Sequence, residues 1–311
     1  MNNSLRYSFS FHPGPSLFSG YHALAQLPYE LHRRGIRRPA VLYRKDREGE
    51  RLVKGIRNLS FGSQCTPVYA SYQEPPPEYD GVIVLGSHGD PPGSFHGAPM
   101  FLVLTDFQTC REVSRNAEGI FPEAVFLDPS YYAPFNTEHT AATAVIALTL
   151  LLESLQDDRM NPLSFSWTYS GIDHIIGSAD CLKTLEGRHG VANAAVSAGI
   201  TASNTGFGAV STLAEALAVS GFADRAETCY ALLPYVLDKL ASQEGMEQLN
   251  QFIEHPVTRL QQLLEQLSQL GGLGTQKQQI ITLAGCTRSI ADSPQSEEIM
   301  QFLSILQGVT P

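Results

Sequence analysis

Cysteine is scarce in this chain and poorly placed for its usual structural tasks. The five residues, Cys65, Cys110, Cys181, Cys229 and Cys286, are odd in number and none stands at C-x-x-C spacing. That pattern speaks against a disulfide framework and is read as reduced thiols in a cytoplasmic protein. Basic excess is lacking as well. Lys and Arg number 21 against 31 Asp and Glu, a net charge of -10, so a nucleic-acid backbone or an anionic membrane is a poor partner. The one basic cluster, His32, Arg33, Arg34, Arg37 and Arg38, is read as a solvated helix end in preference to an anion site. No basic start followed by an apolar segment marks a secretory signal. No clean apolar run reaches the roughly 18 residues that span a bilayer. No Ser/His/Asp or Cys/His triad can be placed by spacing, and no internal repeat is visible.

What is present bounds the architecture. With 311 residues, 43% of them hydrophobic and 17% charged, the chain can build two domains and two cores. Residues 1–20, with Tyr7, Phe9, Phe11, Pro13, Pro15 and Gly20, read as an edge strand and a loop. A helix is expected over Tyr21–Arg34, with Leu24, Leu27 and Leu31 at core spacing and Gly35 as its stop. Buried strands are expected at Pro39–Tyr43, Thr66–Tyr69, Gly81–Leu85, Met100–Leu104 and Ala124–Leu127, and Pro75–Pro77 as an extended linker. Strands alternating with helices and loops imply a parallel sheet.

After Asp128-Pro129 the pattern changes. From Thr140 a helix begins that is apolar on almost every face, through Ala142, Val145, Ile146, Leu148, Leu150, Leu151 and Leu152. Such a helix is a buried one. Further helices are expected near 163–183, 189–203, 207–220, 224–241, 246–269, 276–290 and 295–307. The Gln-rich stretch with Gln248, Gln251, Gln261, Gln262, Gln266 and Gln269 keeps leucines at helical spacing and reads as amphipathic helix. The fold class is thus an N-terminal α/β domain with a reduced, Rossmann-like parallel sheet (1–127) followed by an all-α C-terminal domain (128–311).

Several stretches resemble the iron-containing alcohol dehydrogenase family, which has the dehydroquinate synthase-like fold. Pro122 to Pro129 is similar to that family's P-x-x-x-x-x-D-P strand and turn. The helix Ala141-Ala142-Thr143 to Glu153 is similar to its A-A-T-G-M-D-A-L-T-H-A-I-E helix. Asn204–Val236 follows the family segment ending in L-L-P-x-V without a gap, and Phe18–Leu24 and Gly35–Leu42 resemble its opening segments. The resemblance implies an N-terminal dinucleotide domain and a C-terminal domain that would hold divalent iron or zinc.

The departures bear on chemistry. The family's metal ligands are an Asp and a His at i, i+4 on the first helix and two further His. Those positions here hold Ile146, Leu150, Ser211 and Arg225. A divalent ion needs carboxylate or imidazole donors. Aliphatic side chains provide none, and a guanidinium repels a cation. The resemblance therefore implies no metal site. The family's G-G-G-S phosphate turn corresponds to Gly86-Ser87-His88-Gly89, followed by Asp90-Pro91-Pro92-Gly93. Prolines block a helix there beyond its first turn, and the spacing to the next strand is short for a crossover helix. The family's P-T-T-A-G-T-G-S-E motif corresponds to Leu104–Glu112, where Thr105, Thr109 and Glu112 persist, both glycines are gone and Asp106 adds negative charge. Gly86, Ser87, Thr105 and Thr109 are the vestigial cofactor-binding candidates. No cofactor is expected, with NAD(P) as the alternative.

Single residues add a few candidates. His88 and His96 flank the Pro-Gly loop and read as solvent-facing before they read as a remade ligand or proton-transfer site. Asp173 and His174 are adjacent, so on a helix they point about 100° apart and do not share a face. Glu215 replaces a His that lines the family's cleft, and an ion pair with Arg225 could replace the metal; Arg225 could instead grip a carboxylate. Cys229, one turn from Arg225, reads as a buried inert thiol in preference to an activated one. Thr143 and Thr149 read as helix-packing hydroxyls. The catalytic role is unassigned, with Ser211, Glu215 and Arg225 as cleft candidates.

Two functional expectations follow. The first is a degenerate, shortened relative of the family, a pseudoenzyme that binds a protein partner (an active homologous subunit, as a biosynthetic accessory protein) or a small or peptide ligand, as a monomer or a dimer. The second is a metal-independent NAD(P)-dependent oxidoreductase, or a repurposed enzyme, using the same cleft. A third arrangement, a new metal site from His88, His96, Asp90 or Glu215, stays open at this point.

Overall fold

The computed structural model describes residues 9–44, 46–59, 66–69, 78–86, 95, 97–105, 122–132, 137–219, 221, 223–241, 244–273 and 280. Six strands form one sheet: β1 (Ser16–Ser19), β2 (Pro39–Tyr43), β3 (Thr66–Tyr69), β4 (Gly81–Leu85), β5 (Met100–Val103) and β6 (Ala124–Leu127). Their spatial order is β1-β6-β5-β4-β2-β3, and every neighbouring pair is parallel. β1 is an edge strand, as its mixed composition suggests. The chain moves outward from β2 to β3, then back through β4, β5 and β6. The strand order thus reverses between β2 and β4, the topological switch point of the sheet.

The strands alternate side chains between two faces, and each face feeds a different core. Val41, Tyr43, Ile83, Leu85, Phe101, Val103, Ala124 and Phe126 pack with Leu24, Leu27, Leu31, Leu52, Val53 and Ile56. These come from the N-terminal helices α1 (Leu27–Arg33) and α2 (Arg47–Leu59) and the 3-10 turn Ala23–Gln26 that leads into α1. Ala40, Leu42, Val82, Val84, Leu102, Leu104, Val125 and Leu127, on the other face, join one continuous core with the helices that follow. The division between cores therefore runs through the plane of the sheet. Helix α2 was not expected from the sequence, although Leu52, Val53, Ile56 and Leu59 give it an amphipathic stripe.

Gly35 ends α1 as expected. It adopts φ 73°, its N–H donates to His32 O, and Ile36 N–H reaches back to Leu31 O at 2.9 Å, which satisfies carbonyls the helix end leaves open. In the basic cluster Arg33 and Arg38 are exposed, whereas Arg34 is packed between the buried Glu30 and Glu123, with its guanidinium 5.5 Å from the Phe101 ring centre.

The helical half comprises α3 (Thr137–Ser154), α4 (Pro162–Ser178), α5 (Leu185–Thr205), α6 (Ala209–Val219), α7 (Arg225–Leu240), α8 (Glu244–Leu249) and α9 (Pro256–Gly271). Every residue of α3 from Thr143 to Ser154 is buried, because α4, α5, α6, α7 and α9 all pack around it. It is the central helix that its all-round apolar sequence requires. Where one helix was expected over 246–269, there are two. The break spans residues 250–255 and ends at His255, held at φ 48° before Pro256; proline disfavours helical geometry in the residue before it and then starts α9 at its first position. The helices expected at 276–290 and 295–307 lie outside the described residues, Ile280 apart. Among the described residues no helix is long and apolar enough to cross a membrane.

Helix starts are capped locally in four cases: Asp46 for α2, Asn161 for α4, Thr184 for α5 and Asp224 for α7. Helix α6 is different. Gly208 precedes it and has no side chain to offer. Instead Glu153, buried at the end of α3, accepts from Val210 N–H at 2.6 Å and Ser211 N–H at 3.1 Å. A Cβ on residue 208 would stand 2.4 Å from the Glu153 carboxyl carbon. Glycine is needed there because the carboxylate occupies that space.

Glu153→Ala should leave two buried N–H groups without an acceptor and cost about 2–4 kcal/mol in urea unfolding. Gly208→Ala should cost about 1–3 kcal/mol by displacing the carboxylate. In the Glu153→Ala background most of the Gly208→Ala penalty should vanish, and additive penalties would contradict this account.

Candidate functional site

The positions that the resemblance assigns to metal lie on α3, α6 and α7, three helices that pack on one another. Their register is set by polar contacts. Glu153 reaches the start of α6, and one turn earlier Thr149 stands near Cys229 of α7. Leu150 lies four residues after Ile146 and three before Glu153, so all three share one side of α3, the side from which Glu153 reaches α6. Ile146 and Leu150 are buried, at 6% and 3% exposure. Ser211 is buried too, and its hydroxyl donates to Gly208 O at 3.1 Å. Arg225, the first residue of α7, pairs with Glu215 of α6 at 2.7 Å, each side chain about a fifth to a quarter exposed.

This donor set does not fit a divalent ion. Ile and Leu present no lone pair, the serine hydroxyl is engaged with a carbonyl, and the guanidinium stays charged at any working pH. Among the described residues no three His, Cys, Asp or Glu side chains are grouped so as to hold a metal. The expected Glu215–Arg225 ion pair is formed.

The remaining candidates are spread out. Gly86 follows β4 at φ 86°, a conformation that suits glycine, and its N–H donates to Val103 O at 2.9 Å. That amide is therefore committed to the sheet and is not open to a phosphate. Thr105 lies just beyond β5 and is buried at 4% exposure. Ser87, His88, Asp90, His96, Asp106, Thr109 and Glu112 lie outside the described residues. On α4, Asp173 is exposed and His174 half-buried, on different sides of the helix. The hydroxyls of Thr143 and Thr149 donate to carbonyls one turn back, His139 O at 3.0 Å and Val145 O at 2.9 Å, as packing hydroxyls do.

Burial pushes the Cys229 thiol up to about 12, with the Glu153 charge adding to it, while Thr149 and Arg225 pull only weakly the other way. The nearby guanidinium thus fails to activate it. Glu153 and a group around His189 were not assigned roles from sequence. Glu153 carried a signal, since it closes the matched helix beside the Gly206-Phe207-Gly208 turn in the fold. His189 carried none, because its partners Tyr132 and Ser19 are remote in the chain.

The sequence matches no protein-family model and no curated protein. Solved structures do share its fold. Sulfoacetaldehyde reductase from Bifidobacterium kashiwanohense in complex with NAD+ superimposes with a TM-score of 0.76 at 13% identity, over 97% of this chain and 99% of that one. The iron-containing alcohol dehydrogenase from Corynebacterium glutamicum gives 0.74 at 16%, over 97% of each chain. Maleylacetate reductase from Rhizobium sp. strain MTP-10005 gives 0.73 at 19%, over 97% and 99%. The chain has the iron-containing alcohol dehydrogenase fold, with an α/β N-terminal part and a helical C-terminal part.

In the native protein at pH 8, Cys229 should resist alkylation while the half-buried Cys181 reacts, as peptide mapping by mass spectrometry would show. Rapid native labelling of Cys229 would contradict the burial and charge account.

Proposed function

We propose that this chain is a divergent relative of the iron-containing alcohol dehydrogenases that has lost metal-dependent chemistry and acts as a binding subunit, taking a protein partner such as an active homologue, or a small or peptide ligand. One observation carries the reading. At the positions where the resemblance calls for metal donors, two aliphatic side chains are buried and a cation is already present as Arg225, neutralised by Glu215. Restoring a metal would require displacing that pair and supplying donors that the pocket lacks. The scaffold around it is intact, from the all-round buried α3 to the cap on α6.

A second reading is metal-independent oxidoreduction with NAD(P). The neighbour crystallised with NAD+ and the switch point between β2 and β4, where open α/β sheets take ligands, favour it, and Arg225 offers a positive charge to a developing alkoxide. The commitment of the Gly86 amide to Val103 speaks for the first reading.

Purified protein should carry no stoichiometric iron or zinc by elemental analysis, and neither ion should raise its melting temperature. Titrated into NADH or NADPH, it should give no saturable change in nucleotide fluorescence. Stoichiometric metal bound among α3, α6 and α7 would overturn both readings; saturable nucleotide binding without metal would select the second.

A further inference from the structure

The N-terminal segment is laced along α5. His12 N–H donates to Asn204 Oδ1 at 2.7 Å, and Asn204 Nδ2 donates back to His12 O at 3.0 Å. Gly14 lies against Ile200. From residue 12 to 19 an extended chain covers about 23 Å, and from residue 204 back to 189 a helix covers about 22 Å. The matched lengths bring Ser19, the last residue of β1, to the beginning of α5. Ser19 is exposed there, at the carboxyl end of a parallel strand, the side on which open α/β sheets take ligands.

Three side chains are linked to its hydroxyl. Ser19 Oγ stands 3.1 Å from His189 Nε2, and His189 Nδ1 stands 2.7 Å from the hydroxyl of the buried Tyr132, just beyond β6. Asn193, one turn on from His189, holds Ser19 from a second direction. Its Oδ1 lies 2.7 Å from Ser19 Oγ, and its Nδ2 donates to His189 O at 3.0 Å, which fixes the amide. A hydroxyl within reach of an imidazole, with the imidazole oriented by a third group, is the arrangement that nucleophilic catalysis requires.

We propose that Ser19 is a nucleophile with His189 as its base, and that this second site hydrolyses small carboxylic esters through an acyl-serine. It uses no residue of α3, α6 or α7 and is independent of the reading given above for that cluster. Protonated on Nδ1, which donates to the Tyr132 oxygen, the ring turns the Nε2 lone pair to Ser19. The Ser19 hydroxyl has one proton and two acceptors, Asn193 Oδ1 and His189 Nε2. Rotation about Cβ–Oγ moves the proton from one to the other without moving the oxygen. Burial holds the imidazole below the usual histidine range; His174 adds to that and Asp128 opposes it, so the base is unprotonated at neutral pH. Tyr132, raised by burial and by Asp128, stays a phenol.

In the first step Ser19 Oγ attacks the ester carbonyl carbon as its proton passes to Nε2. The C–O bond to the alcohol then breaks, and the alcohol leaves with that proton. Water, giving a proton to Nε2, next attacks the acyl carbon, and the carboxylic acid departs as Ser19 takes the proton back. The Gly20 N–H is committed to Leu127 O. Those of Tyr21 and His22 donate to no acceptor among the described residues and are available to the oxyanion. His22 is itself held in the left-handed region at φ 66°, strain of the kind that collects at functional turns. Exposed Tyr21 beside the nucleophile, and exposed Leu185 one turn before His189 on the same side of α5, offer apolar surface to the acyl or alcohol group.

The test treats the full chain with a fluorophosphonate probe, which phosphonylates an activated serine with loss of fluoride, and separately with p-nitrophenyl acetate. Native protein should be labelled on Ser19, as peptide mapping by mass spectrometry would show, heat-unfolded protein should not, and the acetate should give a burst of p-nitrophenolate. His189→Gln, which can still hydrogen-bond Ser19, should slow both reactions about 100-fold or more. Added imidazole should restore part of the labelling in His189→Ala, an effect that a purely structural histidine would not give. Native unaltered protein left unlabelled at Ser19, or labelled on Tyr21 instead, overturns the proposal, and that outcome depends on no variant's folding. So does labelling of Ser19 that His189→Gln leaves unchanged.

Discussion

The Glu153 carboxylate is the constraint on which the helical half depends. It ends the one helix that is buried on every side, and it satisfies the first amides of α6 from a different element. A buried carboxylate is tolerable only with such donors, and the buried start of a helix needs such an acceptor. Each removes the other's penalty. The arrangement places α6 on α3, and α6 in turn presents Ser211 and Glu215 to α7. The Glu215–Arg225 ion pair completes the stitching of the three helices.

That stitching holds α3, α6 and α7 together through side chains alone. A metal holds helices together through directional bonds to several elements. Here the apolar burial of Ile146 and Leu150 and the ion pair across α6 and α7 hold the same three helices without it. The pair is only partly shielded from water, so its direct stabilisation is modest. At the end of β4 the Gly86 amide is likewise bonded within the fold.

The sheet is shared between the two halves rather than owned by the first. Its alternating side chains give one face to α1 and α2 and the other to the core that surrounds α3. The N-terminal segment adds a polar seam along α5. The orientation of the halves is thus set by apolar contact over a broad face and by a few directed hydrogen bonds at its margin.

Local pattern by itself determined the parallel strands Pro39–Tyr43, Thr66–Tyr69, Gly81–Leu85 and Ala124–Leu127, the central helix, and the stop at Gly35, because each rests on periodicity or on one residue's backbone preference. That Ile146 and Leu150 offer no metal donor was equally legible, since an aliphatic side chain lacks lone pairs in any fold. Helix α2 was missed because its stripe of Leu52, Val53 and Ile56 lies among charged residues. The break before Pro256 was missed because leucines keep helical spacing on both sides of it. Only the tertiary structure decided that Glu153 caps α6, that the Gly86 amide is taken, and that His189 meets Ser19 and Tyr132. Those contacts join residues between 17 and 170 positions apart, and no local rule of spacing encodes which distant donor will find which acceptor.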